Sequence, residues 1–329
     1  MSINYLSFNN LVTNLACSTD LGYFIYGLQP DLTKKIFHSP GGGVGIIHLL
    51  LKTNIVILVG GGTTPFKSRD TLVFWDNNAK EIILEIDTKE QIKNALLNKT
   101  HLFVVLEKKI RLFDWSGKCL ETKATYSNDR GLCTMNNNMD IIATLGINKG
   151  EIAVWKYLDN KEMYKTIKAH TSNIVAIALS SSGNYVATAS ETGTLIRVFN
   201  VETGKQEYEL RRGSQSALVY SICFSADTKH LACCSGNGTV HIWDLYSDPT
   251  TTKNTQSMLS GFKGYLPQYF SSQWGMKQLS LGDFSKSVCI FDENNDLHIA
   301  TYSGNYFKIA GRTGEFTNIT KGELYINNK

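Results

Sequence analysis

Two adjacent arginines, Arg211 and Arg212, close the segment YELRRG at 208–213. The planar fork of arginine donates paired, charge-assisted hydrogen bonds, and phosphate matches that geometry closely. Successive side chains of an extended strand face opposite ways. The pair therefore predicts two separate phosphate pockets, one toward each neighbouring element. Suitable donors stand on both sides in the sequence: His170, Ser190, Thr194 and Arg197 before the pair, and Ser235, Thr239 and His241 after it. Ser190 to Thr194 and Ser235 to Thr239 are both four residues apart, so each arginine is expected to have a matched set of hydroxyls and a basic group. Taken singly, each hydroxyl is ordinary turn chemistry, His241 a satisfied strand residue and an arginine pair a solvated surface feature. The duplication around one arginine pair is what points to a ligand, and hydroxyls and imidazoles suit a phosphorylated inositol ring.

Such pockets need rigid strands to hold them, and the chain is rich in strand signals. An alternating segment ending in an aromatic recurs: TLVFWDN, KIRLFDW, EIAVWKY, TLIRVFN and TVHIWDL. Its aromatics Trp75, Phe113, Trp155, Phe199 and Trp243 are separated by 38, 42, 44 and 44 residues. A period of about 40–45 residues with a WD-like ending marks propeller blades, each a four-stranded sheet. Residues 11–40 read as a first blade and 285–326 as a last. The expected fold is all-β, a seven-bladed WD-repeat-like β-propeller forming one domain over residues 1–329. Helical periodicity is confined to a weak candidate at 90–97.

One repeat is overlong. From Trp243 to Tyr306 is 63 residues, and the surplus falls between the third and fourth strands of the sixth blade, at about 247–276. Long loops in compact folds are usually functional. This one carries Leu259, Phe262, Tyr265, Leu266, Tyr269, Phe270 and Trp274. Either it folds back as a satellite cluster or it enters a membrane, where aromatics favour the interface.

Composition narrows the remaining classes. A net charge of +4, from 33 Lys and Arg against 29 Asp and Glu, is too small a surplus for a nucleic-acid binder. Seven cysteines without a CxxC pair read as free, buried thiols in a reducing compartment, and no metal site or cofactor is expected. The apolar run at 44–62 is interrupted by His48, Lys52 and Asn54 and reads as two strands joined by a KTN turn. No secretory signal opens the chain, so a membrane would be met from the cytosol. The glycine runs at 41–43 and 60–62 lack a following GK[ST] and read as blade turns. No nucleophile, base or carboxylate pair has a supporting context, so no enzyme is expected.

The motif LRRG, with KAH at 168–170, SETGTLIR at 190–197 and TVHIW at 239–243, resembles the PROPPINs, phosphoinositide-binding β-propellers known as WIPI proteins in animals. The loop segment GYLPQYFSSQWGMKQ resembles the shorter-loop WIPI branch. The resemblance implies a first headgroup site of His170, Ser190, Thr194, Arg197 and Arg211 and a second of Arg212, Ser235, Thr239 and His241. It implies phosphatidylinositol 3-phosphate and phosphatidylinositol 3,5-bisphosphate as ligands, the blade-six loop as a membrane-inserting segment, and an autophagy effector recruited to autophagosomal, endosomal or vacuolar membranes. Partners implied are phosphoinositide-containing membranes and an autophagy lipid-transfer protein, met by a monomer at a surface that includes Asp20. The alternative is a WD-repeat scaffold that binds proteins and no lipid.

Overall fold

In the computed structural model, which describes residues 2–50, 53–98, 100–158, 161–246 and 273–324, every element is a β-strand. The first sheet holds β1–β4 (Ile3–Phe8, Asn14–Thr19, Gly22–Gly27, Thr33–His38). The second holds β5–β8 (Val44–Leu49, Ile55–Gly60, Thr71–Asp76, Glu81–Asp87) and the third β9–β12 (Asn94–Leu97, His101–Val105, Lys109–Asp114, Cys119–Ala124). The fourth holds β13–β16 (Cys133–Met135, Ile141–Leu145, Glu151–Leu158, Lys161–Lys168) and the fifth β17–β20 (Ile174–Leu179, Tyr185–Ser190, Leu195–Asn200, Gln206–Arg211). The sixth is built from β21–β23 (Val219–Phe224, His230–Ser235, Thr239–Asp244) and β25 (Lys277–Ser280). Between these last two comes β24 (Gln273–Trp274), which joins the fifth sheet. The seventh holds β26–β29 (Ser287–Phe291, Leu297–Thr301, Asn305–Ile309, Ile319–Glu323).

The recurring aromatics explain the repeat. Trp75, Phe113, Trp155, Phe199 and Trp243 all lie on third strands, and all but Trp75 are buried. A large ring at the same point of these five sheets stabilises by about 2–3 kcal/mol when fully buried, so the spacing of the rings is the spacing of the sheets. The first sheet starts at Ile3 rather than near residue 11, and the last spans 287–323. The apolar run at 44–62 gives β5 and β6, with one glycine run just before β5 and the other closing β6. The weak helix at 90–97 is not a helix. Asn94–Leu97 is a strand paired with β10, because Ala95 and the buried Ile92 join the apolar core of the second and third sheets.

Two compact units are distinguished. One comprises Met1–Leu132, Asp296–Ala310 and Thr317–Lys329, the other Cys133–Asn295 and Gly311–Phe316. Within the second, the fifth and sixth sheets share a single core that includes Ile196, Leu210, Val219, Leu231, Cys233 and Trp243. That shared core fixes the two sheets around the Arg211–Arg212 connection. The overlong segment lies where the spacing puts it, between the third and fourth strands of the sixth sheet. At its end β24 pairs in parallel with β20, Leu210 opposite Gln273 and Arg211 opposite Trp274, before the chain returns as β25 to pair with β23.

All seven cysteines are free; five are buried, Cys133 is half-buried and Cys119 is exposed, contrary to a uniformly buried set. Burial pushes the Cys17 thiol up to about 12, so it stays protonated. Among the described residues no group of three or more His, Cys, Asp or Glu is placed to hold a metal ion.

Candidate functional site

Arg211 ends β20 and Arg212 follows it, its N–H donating to Thr194 O at 2.9 Å. Neither side chain is a solvated surface group: Arg211 is 5% and Arg212 4% exposed. A buried guanidinium must be satisfied by its surroundings. Arg212 donates from Nε to Gly193 O at 2.7 Å and from Nη2 to Gln215 O. Two of the five donors of the fork thus hold the connection between the fifth and sixth sheets. Burial lowers the Arg212 pKa from its ordinary value, but Arg212 remains the local cation.

On the sixth sheet, Ser235 and Thr239 face one another across the β22–β23 hairpin, Oγ to Oγ1 3.0 Å. Thr239 Oγ1 is 3.2 Å from His241 Nε2, two residues along the same face. The His241 ring stacks on Trp243 with centroids 5.9 Å apart. His241 is pushed down to about 4, first by burial and then by the Arg212 cation, and is therefore a neutral imidazole. The structure thus links Ser235, Thr239 and His241 in one hydrogen-bonded chain, with the Arg212 cation near enough to lower the histidine's pKa.

The fifth sheet is built differently. His170 Nε2 lies 3.0 Å from Thr188 Oγ1, and Arg197 donates from Nη1 to Ala169 O at 2.8 Å, beside His170. His170 is also pushed down to about 4, by burial first and the Arg197 cation second. Arg197 Nε meets Glu209 Oε2 at 3.2 Å, the two carried on the paired strands β19 and β20. Ser190 Oγ pairs with Thr192 Oγ1 at 3.0 Å, not with Thr194. The equal spacing of the two Ser–Thr pairs is therefore not a structural equivalence. Ala189 pairs with Ile196, so the β18–β19 turn is one residue longer than the β22–β23 turn, where Ser235 pairs with Thr239. Leu195 takes the place of Thr239, and Arg197 the place of His241. Thr194 contributes its carbonyl to Arg212 instead.

Sequence reading missed Thr188, Thr192 and Glu209. Glu209 could have been found from strand pairing, since a carboxylate two residues before Arg211 falls opposite Arg197. Of the loop residues, Leu259, Phe262, Tyr265, Leu266, Tyr269 and Phe270 lie outside the described residues, and for Trp274 only the strand position is described. Asp20 lies half-buried in the turn between β2 and β3. It accepts from Ser2 Oγ and Asn4 Nδ2, each at 3.0 Å, which ties the start of the chain to that turn.

The PROPPIN family model matches residues 2–281. Autophagy-related protein 18 of Dictyostelium discoideum is 30% identical over 320 residues, covering 89% of this chain and 84% of that protein. The crystal structure of Kluyveromyces marxianus Hsv2 superimposes with a TM-score of 0.78 at 22% identity over 99% of both chains. That of KlAtg21 with the coiled coil of AgAtg16 gives 0.75 at 24% identity over 98% of both. Likeness at this level shows the fold, a seven-bladed β-propeller. The chain belongs to the PROPPIN family, non-enzymatic, autophagy-related β-propellers that bind phosphoinositides.

Proposed function

We propose that this chain binds two phosphoinositide headgroups, one on each side of Arg211–Arg212. His170, Ser190, Thr194, Arg197 and Arg211 form the first site; Arg212, Ser235, Thr239 and His241 form the second. The ligands are phosphatidylinositol 3-phosphate and phosphatidylinositol 3,5-bisphosphate, whose phosphates need the same donor types. The observation that supports this best is the pairing, in adjacent blades, of an arginine with a neutral histidine that meets a threonine hydroxyl. Such a set has donors to give and no competing proton charge of its own.

The segment around 259–274 enters the bilayer beside the two sites and holds the single-domain protein on autophagosomal, endosomal or vacuolar membranes from the cytosolic side. A protein partner joins there. A coiled coil is the partner named for KlAtg21, and a lipid-transfer protein bound near Asp20 is the other candidate for this monomer.

Flotation on phosphoinositide-containing liposomes tests the central claim. Either single variant, Arg211→Ala or Arg212→Ala, should bind weakly, and the double variant should not float. Because both side chains are buried, a melting curve accompanies each variant. A folded double variant that floats like wild type would sink the proposal.

A further inference from the structure

Phe284 is the most exposed of the large apolar side chains among the described residues, at 66%. A lone exposed apolar residue is ordinary, but the setting of this one is not. It sits in the connection Leu281–Lys286, between β25 and β26, which is pinned on both sides. Asp283 Oδ1 accepts from Ser285 N at 3.0 Å and Ser285 Oγ at 2.6 Å, and Tyr220 Oη donates to Phe284 O at 3.2 Å. Leu281 N donates to Gly238 O at 2.9 Å. The Phe284 ring lies over Gly238: a Cβ built there would meet ring carbons at 3.3 Å. Gly238 is the turn residue, at φ +67, between the hydroxyls of Ser235 and Thr239.

A rigid turn therefore holds an aromatic ring in water at the rim of the second site. Holding it there keeps apolar area exposed, which burial in an apolar medium would remove from water. A protein that docks on a headgroup at Ser235–Thr239 brings the acyl chains of that lipid to the same rim. Phenyl rings partition favourably into that layer, and a pinned backbone limits the conformational entropy lost there. We propose that Phe284 is a membrane-contacting anchor beside the second headgroup site, distinct from the 259–274 segment, and that its partner is a lipid bilayer. The inference rests on the headgroup reading of that site.

The test separates the two ideas. Wild type and Phe284→Ser are compared on phosphatidylcholine vesicles doped with phosphatidylinositol 3-phosphate, and by calorimetry with soluble inositol 1,3-bisphosphate. Expected are a roughly tenfold loss on vesicles, about 1.4 kcal/mol, and no change with the soluble headgroup. In Phe284→Trp, the emission gained over wild type should shift blue on vesicles and be quenched by brominated acyl chains. Unchanged vesicle binding of Phe284→Ser, or no quenching in Phe284→Trp, overturns the anchor while arginine-dependent binding of wild type leaves the headgroup reading standing. An equal loss on the soluble headgroup also overturns it, making Phe284 part of the pocket wall. Absence of wild-type binding to both probes removes the headgroup reading and the anchor with it.

Discussion

Arg197, of the proposed first site, is already engaged, its Nε on Glu209 and its Nη1 on Ala169 O. A carboxylate next to an anion site opposes the anion. Glu209→Gln should therefore tighten headgroup binding by about threefold, the scale of a weakly exposed ion pair; calorimetry with a soluble inositol phosphate reads it, and weaker binding would mean that Glu209 orients Arg197 productively. The two histidines set a pH response. Each has a folded value of about 4 against 6.5 when free, so the unfolded chain takes up the proton first as pH falls. Their contribution is intact above 6.5 and is lost as pH falls through about 4, at most ~3 kcal/mol per histidine. Melting temperature followed from pH 7.5 to 4.5 should fall for wild type and fall less for His241→Gln. Binding a phosphate beside either ring favours its protonated form, so headgroup binding should also take up protons, measurable as a buffer-dependent heat.

At the scale of elements, the turn between β18 and β19 decides where Arg212 sits. Gly193 lies at φ +64, and a Cβ there would meet Ala217 O at 1.7 Å; its own carbonyl receives Arg212 Nε. Gly193→Ala should destabilise by roughly 2–3 kcal/mol and displace Arg212, visible as a lower melting temperature together with lost headgroup binding at the second site. A variant as stable as wild type would show that the turn can relax. These turns also mark how far the sequence could be read. The third-strand aromatics were legible because a buried ring imposes the repeat whatever the loops do. The clustering of Ser235, Thr239 and His241 was legible because they lie on one short hairpin. The first set was read less well: whether Ser190 faces Thr194 depends on turn length, and Glu209 reaches Arg197 only through the register of β19 and β20. Nor does alternation along a strand reveal burial: it points the two arginines apart without saying that both are almost wholly enclosed.

For the molecule as a whole, the proposed two-site reading makes membrane binding a sum of weak parts. One headgroup contact is modest and salt-sensitive; a second on the same rigid scaffold acts at raised effective concentration, and apolar insertion adds buried area. Deleting residues 259–272, which spares β24, should weaken retention on liposomes about tenfold or more while leaving the affinity for a soluble inositol phosphate unchanged. If soluble binding collapses instead, the segment belongs to the fold of the sites and not to the bilayer.

The sixth-sheet insertion does not return directly to its own sheet. It first takes one short parallel step along β20, with Trp274 opposite Arg211, and only then turns into β25. Mechanically this is a stitch across a seam. A pull on the chain ahead of Gln273 would load the hydrogen bonds to Leu210 and Arg211 in shear before it reached the sixth sheet. Tension from a segment drawn into a bilayer would thus be felt first by the strand that ends in Arg211, and on the two-site proposal the grip on the lipid and the pull of the membrane would act on the same few backbone bonds.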